Sequence, residues 1–330
     1  MVTLPHDSRA VTLRYRSHRG VALLATMLAI SLMTILVVEF TTSAGLSYRD
    51  AANQANQLRA YYLARSGIQV GLSVLAQDSI SELRAKHQYT SLDQVWAQGL
   101  GRIRVDGGTV SMSIVDEERK LNINNLFNQQ KREPDQQMAA MVTRLLSNLG
   151  LSPALVPVLI DWLDPDSIES DGGAEVDYYL KLMPPYEPRN GPMPTIGDMR
   201  MLKGMDDITF MRLSRYFTTM QDGTAPCCIN ANTASAEVLA ALAPELEDNP
   251  DLVKQIIEVR EIRPFAQITD MLNLPGISGT AEHLKPFLAV TSDYFLITAQ
   301  GEFSGARRRI YATFRRNQNG TSLLVNWHED

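Results

Sequence analysis

The sequence predicts an α+β protein in which a long N-terminal helix packs on a small antiparallel sheet and a large all-α block is inserted into that sheet. Three observations predict it. A proline-free stretch from Val21 to Gln77 opens the chain with helical patterning. Strand patterning appears near residues 102–115 and again only after residue 294. Between these two regions, about 175 residues carry helical periodicity alone.

The first element begins with Val21 to Val38, an uncharged apolar run of 18 residues. At the α-helical rise this run is ~27 Å long, close to the thickness of a bilayer's hydrocarbon core. Arg9, Arg14, Arg16 and Arg19 precede it, opposed only by Asp7. Positive charge is retained on the cytoplasmic side, so this end is expected to stay inside and the rest to be exported. A secretory signal peptide is the rival reading. The run is long for one, and no Ala-x-Ala site occurs before Glu39. Beyond the run, Leu58, Tyr62, Arg65, Ile68, Leu72 and Leu75 recur at spacings of three and four, which marks one helix face. The whole stretch reads as one helix of about 57 residues, or as two helices hinged near Thr41–Ser43 or Gly45.

Residues 102–106 and 109–115 alternate apolar and polar residues around Gly107-Gly108, a hairpin signal. Residues 294–303, 307–314 and 322–327 alternate likewise. An isolated hairpin is barely stable, so the late strands are expected to pair with the early hairpin. Within the intervening block, residues 135–149 place Met138, Met141, Val142, Leu145, Leu146 and Leu149 on a stripe that ends at Gly150. The methionines read as core. A second helix is expected over 152–163, with Ser152 as N-cap and Pro153 in the first turn, and a third over 235–242. Residues 196–205 and 268–277 form an internal repeat, each copy a short helix, a glycine, and an apolar residue folding back.

Bulk composition is ordinary for a globular protein, with 45% hydrophobic and 21% charged residues over 330 positions. The net charge of −6 gives no global attraction to nucleic acid. Cys227 and Cys228 are adjacent and cannot staple distant segments. They read as a buried thiol pair or a local disulfide. No nucleophile–base, zinc-hydrolase or phosphate-loop pattern occurs, and no enzymatic activity is expected.

The strongest site signal is acidic. Asp164, Asp166, Glu169, Asp171, Glu175 and Asp177 fall within fourteen residues that contain no Lys or Arg. Carboxylates held close repel unless a cation neutralises them. Dense oxygen donors suit Ca²⁺, and Gly172-Gly173 lets the loop fold back on itself. Asp164, Asp166, Asp171, Glu175 and Asp177 are the preferred candidate ligands. The spacing is not an EF-hand, and a solvated acidic loop is the alternative. A helix-hairpin-helix DNA receptor is the rival function, suggested by Ile229–Ala234, Arg260 and Leu274–Ile277 with Gly279. Its first hairpin position carries Glu245, Glu247 and Asp248, which repel phosphate.

Several segments together carry a family resemblance. They are Arg19-Gly20 ahead of the apolar run, Ala60–Gly67, Asp116-Glu117 with Leu121–Asn124, Asp161–Asp166, Pro184–Pro192 and Ile229–Thr233. In this order they resemble the K subunits of type II secretion systems, which are minor pseudopilins. The resemblance implies the pseudopilin fold and a prepilin leader over 1–20, cut between Gly20 and Val21 by prepilin peptidase and followed by N-terminal methylation. It implies a transmembrane segment over 21–39 in the bacterial inner membrane, with the bulk of the chain periplasmic. It further implies a first sheet portion within 40–125, a calcium-binding helical domain over 126–290, and closing strands over 291–330. The implied partners are the minor pseudopilins I and J at the pseudopilus tip, with H and the major pseudopilin as further candidates. The family's prepilin pattern carries Glu at the fifth mature position, where this chain has Ala25, as K subunits do.

Overall fold

A computed structural model describes residues 19–85, 89–105, 107–220, 228–277, 281–317 and 320–330. Most of the leader, Cys227 and Gly279 lie outside the described residues.

Helix α1 runs Arg19–Ala85, 67 residues, without a break at Thr41–Ser43 or Gly45. It is long and apolar enough to cross a membrane. The hydroxyls of Thr26, Thr34, Thr41 and Thr42 donate to carbonyls three or four residues earlier, which satisfies these polar groups inside the helix. The chain forms two compact units, the first ending at Leu58 and the second spanning Arg59–Asp330. In the first unit, Val21 to Ala55 are exposed.

The second unit contains a five-stranded antiparallel sheet. Strands β1 (Leu100–Val105) and β2 (Gly108–Asp116) form the expected hairpin. The inserted block contributes only two-residue strands: β3 (Leu121–Asn122), β4 (Phe127–Asn128), β5 (Glu133–Pro134), β6 (Phe217–Thr218), β7 (Ile229–Asn230) and β8 (Leu288–Ala289). The chain then returns through β9 (Tyr294–Phe303), β10 (Ala306–Arg316) and β11 (Ser322–Glu329). The spatial order is β1-β2-β9-β10-β11, so the early hairpin and the late strands do pair, through β2 and β9.

One core lies between the sheet and α1. Ala64, Ile68 and Leu75 meet Met112, Ile114, Phe295, Ile297 and Ala299. The buried face is the expected one at Ile68, Leu72 and Leu75, and departs from it in the preceding turns. Leu58, Tyr62 and Arg65 are exposed, whereas Ala60, Ala64, Gly67 and Gly71 are buried. The reason is the closeness of the crossing. A Cβ on Gly67 would stand 2.8 Å from Ala299 Cβ, and one on Gly301 would stand 2.0 Å from the Ala60 carbonyl oxygen. Only small residues permit that approach, so between Leu58 and Arg65 the bulkier side chains lie off the buried face.

The inserted block has its own core, including Leu145, Leu146, Leu159, Leu163, Leu239 and Ile256. Helix α2 (Gln136–Asn148) is capped by Asp135, which accepts from the Gln137 and Met138 amides, and it buries Met138, Met141, Val142, Leu145 and Leu146 as expected. Helix α3 begins at Leu155 instead of near Ser152. Pro157 explains the late start, because a proline is tolerated only in the first turn of a helix. Ser152 instead accepts from the Ala154 amide in a turn. Helix α4 (Val176–Tyr179) follows the acidic loop, and α5 is Asp207–Leu213. Then come α6 (Ala236–Ala241), α7 (Pro244–Glu247), α8 (Pro250–Ile262), α9 (Ile268–Leu272) and α10 (Ala281–Leu284).

The two repeat copies share their local geometry at corresponding positions. Thr195 and Gln267 precede them with the same backbone angles, φ −139° and ψ 152°. Met199 and Met271 are fully buried, and Gly204 and Gly276 both have positive φ, 79° and 86°. Met205 donates to the Leu202 carbonyl as Ile277 does to Leu274. The first copy is 3₁₀ where the second is α-helical.

The chain leaves the sheet at Asp116 and returns at Ser292, and a buried polar network joins these points. Asp116 accepts from Thr233, Ser292 and Asn230 side chains at 2.6, 2.7 and 3.2 Å. Burial pushes the carboxyls of Asp116 and Glu118 upward, Glu118 to about 9, reinforced by the neighbouring Asp116 and Asp293 and only partly offset by Arg316. Between its ordinary value and about pH 9, folded Glu118 therefore keeps a proton that the unfolded chain has already released. Stability falls as pH rises through that window. Glu118→Gln is expected to flatten the fall, as measured by urea unfolding at about pH 5, 7 and 9. An unchanged slope would remove Glu118 as its source.

Candidate metal centre

Three buried carboxylates meet at the end of α3. Asp161 sits in the last turn of α3, Asp164 is its C-cap, and Glu175 is the N-cap residue of α4. Oxygens from the three lie within 4.8 Å of one another. Their relative exposures are 0%, 6% and 2%. The loop is held in place through its backbone. Asp161 accepts from the Ala174 amide at 2.8 Å and from the Ser170 amide at 3.2 Å. Gly172 takes φ 81°, and a Cβ on Gly173 would lie 1.9 Å from Asp161 Oδ2, so the turn requires both glycines.

The site carries a deficit of positive charge. Asp164 Oδ1 and both Glu175 carboxylate oxygens are buried without a hydrogen-bond donor. Burial, reinforced by the neighbouring acids, pushes Asp164 to about 6 and Glu175 to about 7. The nearby Lys203 ammonium donates to the Gly173 carbonyl at 2.7 Å, and its nearest carboxylate contact is Glu169 at 4.0 Å. It therefore fastens the loop and leaves the three acids unpaired. Trp162, next to Asp161 in α3, packs edge-on against Tyr179 of α4, 5.4 Å between centroids. Asn190 stands across the loop, with Nδ2 donating to the Asp166 carbonyl and Oδ1 unbonded.

Of the candidate ligands, the structure brings Asp164 and Glu175 together. Asp166 is exposed at the rim, near enough to raise the pKa of both. Asp171 and Asp177 are exposed and outside the group. Asp161 takes the third place. It lies outside the acid-dense run, but a lone acid in the apolar helix Leu155–Leu163, one turn before Asp164, was the available signal.

The remaining candidate residues are placed as follows. Gly20 and Val21 lie in the first turn of α1, and nothing approaches within 4 Å of the Gly20 Cβ position. Cys228 donates to the Pro286 carbonyl at 3.3 Å. Arg260, the basic residue of the DNA-receptor reading, is buried and donates to the Ala231 carbonyl at 2.7 Å, so it serves the fold.

Two models of one family, type II secretion system (T2SS) protein K, match residues 119–222 and 229–291, together half of the chain. The chain belongs to the type II secretion system protein K family. The first match contains the carboxylate cluster and one repeat copy; the second contains the other copy. The type II secretion system protein K of Klebsiella pneumoniae is 29% identical over 88% of this chain and 90% of its own length. That of Pseudomonas aeruginosa is 28% identical over 92% and 91%. A chain of the solved GspK–GspI–GspJ complex from enterotoxigenic Escherichia coli superimposes with TM-score 0.71 at 21% identity, covering 86% of this chain and 99% of that one. The shared fold is the long helix on an antiparallel sheet with a helical insertion.

Proposed function

We propose that this T2SS protein K family member is a non-enzymatic minor pseudopilin that forms the pseudopilus tip with the I and J minor pseudopilins. After prepilin peptidase cuts between Gly20 and Val21, the apolar part of α1 stays in the inner membrane and the bulk lies in the periplasm. The observation that carries this reading is the helical block, a unit with its own core placed between β2 and β9 of a pilin-type sheet. Such a block broadens the head and blocks further subunits from stacking above it. Ala25, exposed on α1, supports the same placement, since no carboxylate is there to pair with a terminal amine of a subunit above. Ala51, Ala52 and Ala55 are exposed and allow partner helices to approach closely. The solved GspK–GspI–GspJ complex supports I and J as the partners.

The carboxylate centre belongs to the same proposal as a structural Ca²⁺ site. Asp161, Asp164 and Glu175 fit it, because they offer oxygen donors with orphaned lone pairs and no protein cation. A bound ion would supply the missing positive charge and tie α3 to α4.

Expressing the chain with I and J partners and purifying it from membranes tests the reading. The expected product is a three-protein complex in which this chain begins at Val21 and retains the apolar run. Recovery of the chain alone, or with a first residue beyond that run, would overturn it.

A further inference from the structure

Strand β1 is one edge of the sheet, hydrogen-bonded on a single side to β2. Gly101 to Val105 are all exposed. Alternation divides these residues between two faces. Ile103 and Val105 point to the core side of the sheet, yet remain 45% and 39% exposed because the core stops short of them. Arg102 and Arg104 point to the outer side.

That outer side is basic at this corner. The register places Arg104, Thr109, Glu302 and Arg307 in one row across four strands. Arg102 and Arg307 both reach the single carboxylate of Glu302, at 3.5 and 3.4 Å. Arg309 is spread over Gln300 Oε1 at 2.6 and 3.2 Å. Of the four guanidinium groups on this corner, Arg102 and Arg307 thus share Glu302, Arg309 has Asp330 beyond it, and Arg104 meets no carboxylate of the described residues within salt-bridge distance, on a chain whose net charge is −6. The opposite edge, β11, carries no Lys or Arg.

An edge is defended by covering it, by bulging it, or by charging it, and charge of one sign excludes like edges while admitting a strand of opposite sign. Here the register shift lies between Leu100 and Ile103, leaving the hairpin end of β1 regular. The inward residues are apolar, and the charge stands on the outer face at every second residue. That pattern selects a strand of opposite pattern.

We propose that β1 is a docking edge to which an extended segment of a partner protein, with acidic and apolar residues alternating, adds as a sixth strand. Its main chain hydrogen-bonds to the open side of β1. Its acidic side chains meet Arg102 and Arg104, and its apolar side chains cover Ile103 and Val105. The regular stretch of β1 limits the contact to about four residues of the partner.

The test uses the full chain in detergent and a fluorescent peptide of alternating valine and glutamate, with a valine–lysine peptide as control. The glutamate peptide is expected to bind and the lysine peptide is not. Arg102→Glu with Arg104→Glu should weaken binding by about tenfold or more. Arg263→Glu, on the exposed end of α8, should leave it unchanged. Bound peptide should slow amide exchange in β1 by about tenfold. Three results would overturn the proposal: no binding by the glutamate peptide, equal binding by both peptides, or binding that leaves β1 exchange unchanged. The arginines are exposed, so the double variant is expected to keep the parent's unfolding temperature, which guards against loss of fold as the cause.

Discussion

Gly301→Val is expected to destabilise the packing of the sheet against α1 strongly, by about 3 kcal/mol or more. The glycine lies in β9 where α1 crosses it, and its backbone faces the helix backbone with no side chain between them. A Cβ there would stand 2.0 Å from the Ala60 carbonyl oxygen and 2.6 Å from the Ala64 amide nitrogen. These are main-chain atoms in the middle of a helix and cannot rotate aside, unlike a long side chain. Relief requires the helix to move outward, which would open the contacts of Ala64, Ile68 and Leu75 with the sheet. Overpacking of a tight core costs roughly 1–3 kcal/mol, and a backbone clash belongs at or above the top of that range. Urea unfolding of the full chain in detergent measures it. Gly305→Ala is the control, since nothing lies within 4 Å of that position, although its positive φ of 84° carries a modest cost of its own. Equal effects from the two substitutions would contradict the close crossing.

The second large effect concerns the carboxylate centre. Calcium is expected to raise the unfolding temperature of the full chain, and chelation is expected to lower it. At a free concentration about a hundredfold above its dissociation constant, an ion bound only by the folded state adds about 2.7 kcal/mol. Glu175→Gln should abolish most of that increment. The same substitution should stabilise the calcium-free protein, because an amide replaces a buried carboxylate with two orphaned oxygens. This opposite pair of shifts distinguishes an ion site from an acidic residue that merely caps α4, where loss of the carboxylate would destabilise both forms. Magnesium should substitute poorly, since it demands a smaller octahedral site. An unfolding temperature indifferent to calcium in the unsubstituted protein would remove the site.

Much of the architecture was legible because it rests on local pattern. The apolar run, the hairpin glycines and the methionine stripe of α2 each announce their element within a few residues. The repeat was legible too, since its glycines sit where positive φ is required. The centre was legible only in part. Asp164 and Glu175 stood out in an acid-rich run, but the same run contains Asp171 and Asp177, which face solvent. Composition shows the density of carboxylates without their direction. Asp161 was missed because its neighbours are apolar, although that setting is what makes a buried acid significant. The two-residue parallel pairs β3–β6 and β7–β8 carry no alternation to read.

By itself, the sequence determined the class of the fold, the anchor-like helix, the placement of the helical block between strands, and the acidic loop. Each follows from periodicity or from side-chain chemistry close by in the chain. Tertiary structure alone decided that the buried side of α1 turns to Ala60 and Ala64 ahead of Ile68, and which three acids converge. Both outcomes depend on close approaches that leave no room for a Cβ: Gly301 against the Ala60 backbone, and Gly173 against the Asp161 carboxylate. A contact of that kind is set by excluded volume in three dimensions, and no one-dimensional pattern of hydrophobicity or charge encodes it.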